Sequence, residues 1–173
     1  KTAGLLIDRE GAYPQWNKGQ TFRKFQQDAR LETDYFIDVT KNHTPLMSTQ
    51  GRTMDAKTTD IDSDGDIDII ITGEFSYNVL LVNDGKGGFK DETIDRLALK
   101  RHDSEDIAIG DFDGDGSVDL VFVSEDDETN EYYLNNGNGI FSDQSQKLPV
   151  TGKSNAVLAM DINLDEHLDL IIG

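Results

Sequence analysis

The chain has 173 residues, 36% of them apolar, enough for one ordinary domain with a buried core; it has no cysteine, so neither disulfides nor thiolate metal sites hold it together. A formal charge of -18 at pH 7, from 34 acidic against 16 basic residues, sets aside nucleic acid and anionic membrane surfaces as partners and favours cations or basic surfaces. No apolar run approaches the roughly 18 residues that span a bilayer, so no membrane insertion is expected.

In chain order, residues 4–8 (GLLID) and 35–40 (YFIDVT) read as two short strands, the third and fourth of a four-stranded unit. Between them, residues 12–33 form an insertion with the only tryptophan, Trp16, and four basic residues. Thr21 is placed to cap a short helix carrying Phe22, Phe25 and Ala29, and the segment is expected to be an elaborated loop.

From residue 60 the chain repeats itself. DIDSDGDIDIII begins at Asp60, DFDGDGSVDLVF at Asp111 and DINLDEHLDLII at Asp161, spacings of 51 and 50 residues. A second element keeps step with the first: LLVNDGKGGFKDET ends at Thr93 and YLNNGNGIFSDQS at Ser145. Alternating or apolar stretches precede the acidic segment (106–112, 156–160), and β-branched ones follow it (67–72, 118–123). Then come 78–82 or 132–134, a glycine-rich turn (83–88, 135–139), and a strand opening on Phe89 or Phe141. No segment of a repeat sustains a helical period.

Four antiparallel strands about every 50 residues predict an all-β fold of β-propeller blades, with a parallel β-solenoid as the rival. The division expected is a half blade at 1–40 carrying the insertion, blades at 54–93 and 105–145, and a half blade at 154–173. About three blades are too few to close a ring. Either a larger propeller contains this chain, or a homodimer completes six blades by joining complementary halves.

Residues 60–68, 111–119 and 161–169 hold 5, 4 and 4 acidic groups, 13 of the 34. Two carboxylates about 4 Å apart repel by roughly 4 kcal/mol at an effective dielectric of 20, a heavy load for a domain stable by only about 5–15 kcal/mol. Such loops need a cation. Acidic residues at positions 1, 3, 5 and 9, with glycine near position 6 and a backbone carbonyl at position 7, wrap oxygens around one centre. Hard oxygen donors suit calcium; magnesium demands a stricter octahedron, and zinc prefers His or Cys. The bland alternative is a solvated acidic face. An EF-hand is excluded, because position 12 is Ile71, Phe122 or Ile172 where it requires glutamate, and both flanks read as strand.

DxDxDGxxDL/I followed by a strand, recurring at about 50 residues, resembles the FG-GAP/VCBS repeats of integrin α-type β-propellers. The likeness covers roughly residues 54–173, and the missing Phe-Gly and Gly-Ala-Pro elements favour the bacterial VCBS-like branch. It implies a calcium loop between a blade's first two strands. Carried over, the first site uses Asp60, Asp62, Asp64 and Asp68 with the Asp66 carbonyl; the second uses Asp111, Asp113, Asp115 and Asp119 with the Ser117 carbonyl. The third, a weaker calcium site, uses Asp161, Asn163, Asp165 and Asp169 with the His167 carbonyl, because Glu166 replaces the glycine where a left-handed residue costs roughly 1–2 kcal/mol.

The function expected is that of a non-catalytic, calcium-binding module, secreted, periplasmic or at the cell surface, that binds a protein or a glycan; Trp16, Tyr77, Tyr132 and Tyr133 are candidate aromatic contacts. The alternative is a carbohydrate-active enzyme on a propeller scaffold, or its accessory domain. His43, His102 and His167 are scattered, GxSxG and HExxH are absent, and no nucleophile with its base can be named.

Overall fold

The computed structural model describes residues 2–4, 36–38, 52–126 and 129–173. Strands β1 (Thr2–Gly4) and β2 (Phe36–Asp38) pair in parallel, Thr2 opposite Phe36, whereas neighbouring strands of a blade run antiparallel. Most of the GLLID segment and the whole insertion 12–33, including the helix expected after Thr21, lie outside the described residues.

Two complete antiparallel sheets follow. The first has the order β3 (Thr53–Thr59), β4 (Asp68–Gly73), β6 (Val79–Asn83), β7 (Phe89–Asp91); β5 (Ser76–Tyr77) lies between β4 and β6 in the chain. The second has the order β9 (Ser104–Gly110), β10 (Asp119–Ser124), β11 (Glu131–Asn135), β12 (Phe141–Asp143). A two-stranded sheet of β13 (Val157–Met160) and β14 (Asp169–Ile172) begins a third unit. These are the four-stranded blades expected from the repeat, with two refinements. The strand before the second acidic loop stops at Gly110, so Phe112 belongs to the loop, and one helical turn, α1 (Thr93–Arg96), follows β7. A further strand, β8 (Arg101–His102), pairs with β5, Ser76 opposite His102 and Tyr77 opposite Arg101.

Alternation of side chains decides how the sheets stack, because successive residues of a strand face opposite sides. Ile70 and Leu80 of the first sheet meet Ile107, Leu120, Phe122, Tyr133 and Phe141 of the second, with the Phe122 and Tyr133 rings edge to face at 6.0 Å. One residue on, Ala108, Val121 and Val123 face the other way and pack on Val157, Ala159, Leu170 and Ile172 of the third unit. On the first sheet the corresponding far face holds Ile71, Val79 and Leu81. Strands buried on both faces explain why IDIII and DLVFV read as almost continuous apolar runs.

Each blade carries the same internal fastening. Asp91 accepts the Thr93 hydroxyl, whose oxygen takes the Leu80 N–H at 2.9 Å; Asp143, Ser145 and the Tyr132 N–H repeat the arrangement at 3.1 Å. Lys100 also pairs with Asp143, and although partial burial works against ionisation, the Lys100 and Ser145 contacts hold that carboxyl down to about 2. The recurring FxDxT/S of the second repeated element is therefore a clip between the third strand and the chain leaving the fourth.

Candidate metal centres

Each acidic segment is a tight loop joining the first two strands of its unit, and its first carboxylate builds it. Asp60 Oδ1 and Oδ2 accept the backbone N–H groups of Asp64 and Gly65 at 3.2 and 2.9 Å. Asp111 accepts those of Gly114, Asp115 and Gly116, and Asp161 those of Leu164, Asp165 and Glu166, in the same order of loop positions. The fifth position does likewise two residues on: Asp64 to Asp66, Asp115 to Ser117, Asp165 to His167. These bonds bend the chain inward and gather the remaining oxygens.

The gathering is measurable. Asp60, Asp62 and Asp68 each bring one oxygen within 4.8 Å of the others, as do Asp111, Asp113 and Asp115. In the first loop Asp62 Oδ2 meets Arg96 at 3.0 Å, while Asp62 Oδ1 is buried and accepts no hydrogen bond. A desolvated carboxylate oxygen without a donor costs about 1–3 kcal/mol, more for a charged group, and an ion among these three carboxylates removes that cost. The donor set is all oxygen, so these residues fit a hard divalent cation. Of the other expected ligands, Asp64 and Asp119 stand outside these groups of three; Asp66 and Ser117 turn their side chains to the hairpin glycines Gly85 and Gly137, which suits the carbonyl role expected of them.

The ninth position does a second task that its spacing did not announce. Asp68 accepts the Asn83 N–H at 2.8 Å and the Ile61 N–H at 3.0 Å, and Asp119 accepts those of Asn135 and Phe112 at 2.9 and 3.1 Å. Both carboxylates are about 1% exposed or less. Burial pushes Asp68 and Asp119 above the usual carboxylate range, the backbone donors pull them back, and the neighbouring loop carboxylates push them further up. Each ties its loop to the third strand of its own blade. Asn83 and Asn135 complete the tie by donating to the Ile67 and Val118 carbonyls.

The third loop keeps this outline at higher cost. Asp169 accepts the Ile162 N–H at 3.0 Å and Asn163 Oδ1 the Asp165 N–H at 2.9 Å, while among the described residues no third group of carboxylates forms there. Two loop positions, not one, are left-handed: Ser63, Gly114 and Leu164 at the fourth (φ 62, 79, 64) and Gly65, Gly116 and Glu166 at the sixth (φ 93, 90, 72). The third loop places a branched leucine and a glutamate in both. Because a left-handed non-glycine residue costs roughly 1–2 kcal/mol, Glu166→Gly is expected to stabilise the chain by about 1 kcal/mol, net of the entropy glycine restores to the unfolded state. Urea unfolding of the variant at fixed calcium checks it.

Arg96 was not legible as a site residue. Its guanidinium joins Asp62 of the first loop, Glu92 of α1 and the Asn138 carbonyl of the second blade's hairpin at 3.0, 2.6 and 2.8 Å, while Asn135 Nδ2 reaches the Ile61 carbonyl at 2.7 Å. The first loop is thus fastened across the junction between blades. A further acidic group, Asp103, Glu105 and Glu125, gathers at the opposite end of the second blade and was also missed.

Stacked four-stranded antiparallel sheets, each opened by an oxygen-lined turn between its first two strands, define a propeller-type repeat protein. The FG-GAP-like repeat matches residues 60–122 and 111–172, more than half of the chain, and the chain belongs to that family. No curated protein matches it. Among the described residues no helix is long and apolar enough to cross a membrane.

Proposed function

We propose that the chain is a calcium-binding, non-catalytic module of the propeller type that works outside the cell or at its surface and binds a protein or a glycan. The observation that carries the calcium reading is the first loop, where three carboxylates converge and a buried Asp62 oxygen accepts nothing. Asp60, Asp62, Asp64 and Asp68 with the Asp66 carbonyl would hold one ion, and Asp111, Asp113, Asp115 and Asp119 with the Ser117 carbonyl a second. Asp161, Asn163, Asp165 and Asp169 with the His167 carbonyl would hold a third, more weakly. Calcium supports this assignment over magnesium because it accepts six to eight oxygens in flexible geometry.

The cellular setting follows from the same chemistry. Sites of modest affinity stay filled at extracellular calcium near the millimolar range and empty at cytosolic levels. An ion at 100 times its dissociation constant stabilises the folded state by about 2.7 kcal/mol, a contribution suited to a chain without cysteine. Thermal unfolding in calcium and in chelator separates this reading from that of a metal-free acidic face.

A non-catalytic role is favoured because Asp60, Asp64 and Asp68 are committed to backbone donors, and His102 to the buried Glu131 at 3.3 Å. The third unit also supports association through further blades. Its outward side chains Leu158, Ile162 and Ile171 are 53, 53 and 48% exposed, where Ile61 and Val121 at the matching positions of Ile162 and Ile171 are 2 and 0% exposed beneath the next blade.

A further inference from the structure

At the end of the first blade opposite its acidic loop, the turn after β4 and the short β5–β8 ladder line an open cleft of about 240 Å³ with Phe75, Arg101, His102 and Asp103. Phe75 holds φ 49, in the left-handed region, yet its side chain is not buried for it: the residue is 48% exposed. A strained aromatic that gains little from burial is what a ligand platform requires. Arg101 lies over the Tyr77 ring, 5.5 Å from its centroid, and its guanidinium forms no ion pair among the described residues.

The floor of the cleft is fixed. His102 is anchored on Glu131, which accepts the Tyr133 hydroxyl of its own strand at 2.6 Å and Asn78 Nδ2 of the first blade at 3.4 Å. Such support keeps aromatic and polar groups in place before a ligand arrives.

We propose that this cleft is a subsite for one ring of a neutral glycan, an inference that rests on the reading of the chain as an extracellular binding module. A pyranose has an apolar C–H face to lay on Phe75 and hydroxyls to accept from the Arg101 guanidinium. Charge sets acidic glycans aside: a net -18 repels anionic polymers, whereas a neutral sugar needs only the Phe75 face and the Arg101 donors.

Saturation-transfer NMR and titration calorimetry of the full chain in millimolar calcium test it, with short β-glucan, mannan and galactan oligosaccharides as probes and oligogalacturonate as the acidic control. The expected result is binding of a neutral probe, weakened about tenfold or more by Phe75→Gly and by Arg101→Ala. Phe75→Gly should also leave the melting temperature unlowered, because glycine accepts this φ, so lost binding cannot be ascribed to lost folding. No neutral probe bound, a preference for oligogalacturonate, or undiminished binding in Phe75→Gly overturns the proposal. The calcium-dependent shift in melting temperature, read on the same samples, keeps the outcomes apart: a retained shift without sugar binding rejects the cleft alone, and a missing shift rejects the calcium reading beneath it.

Discussion

Asp119→Ala is expected to destabilise the chain by about 3 kcal/mol or more even in chelator, because it removes two charge-assisted bonds worth roughly 1.5–3 kcal/mol each, and by more in calcium, where a proposed ligand of the second site is lost as well. It also strands the Asn135 and Phe112 N–H groups that Asp119 accepts at 2.9 and 3.1 Å. Asp113→Ala is the contrast. Asp113 lies in the carboxylate group of the same loop, and its one hydrogen bond is to the Asp115 N–H at 3.1 Å. Its loss should abolish that loop's share of the calcium response and cost little in chelator. Urea unfolding of both variants, with and without calcium, distinguishes the two tasks; equal losses in chelator would contradict the division between the clamp and the ligand.

Glu131 carries the second large effect. It is 1% exposed, and burial pushes its carboxyl up, against the opposing pull of the Tyr133 hydroxyl and of His102. With the folded value above the unfolded one, the folded state holds the proton more tightly. The stabilisation is therefore complete below the unfolded value and is lost as pH rises through the folded one. Glu131→Gln removes this dependence and is expected to match or exceed the parent at neutral pH, with the Tyr133 hydroxyl still supplied with an acceptor. Glu131→Ala leaves a cavity and unpaired partners between the blades and should cost about 2–4 kcal/mol. Unfolding free energies of the three proteins from pH 4 to 8 check both statements; a parent curve without this fall toward neutral pH would count against the buried carboxylate as its source.

What could be read from residues alone was whatever local chemistry decides. Asp60, Asp111 and Asp161 announce a loop because each folds its own next five residues, and the runs after them announce strands buried on both faces. The cost of Glu166 was visible for the same reason, while its partner in strain, Leu164, was not, because the fourth loop position tolerates serine or glycine without advertising its φ. Long-range placements were hidden. Nothing near Arg96 in the chain connects it to Asp62, 34 residues before, or to Asn138, 42 residues after. Glu131, at the head of a strand, reads as a solvent-facing charge until Tyr133 and Asn78 are seen to enclose it. The ninth-position aspartates read as ligands, and their clamp on the third strand emerges only when Asn83 and Asn135 come back beside them.

On the proposed reading the acidic loops hold calcium and the fold depends on it. Calorimetric melting of the chelated chain, of the same chain in millimolar calcium, and of the same chain in equimolar magnesium tests this most directly. Calcium-filled loops require a melting temperature several degrees higher in calcium, since about 2.7 kcal/mol per ion at 100 times its dissociation constant is a large share of a domain's stability, with a clearly smaller rise in magnesium. Superimposable melts in chelator and calcium would contradict it.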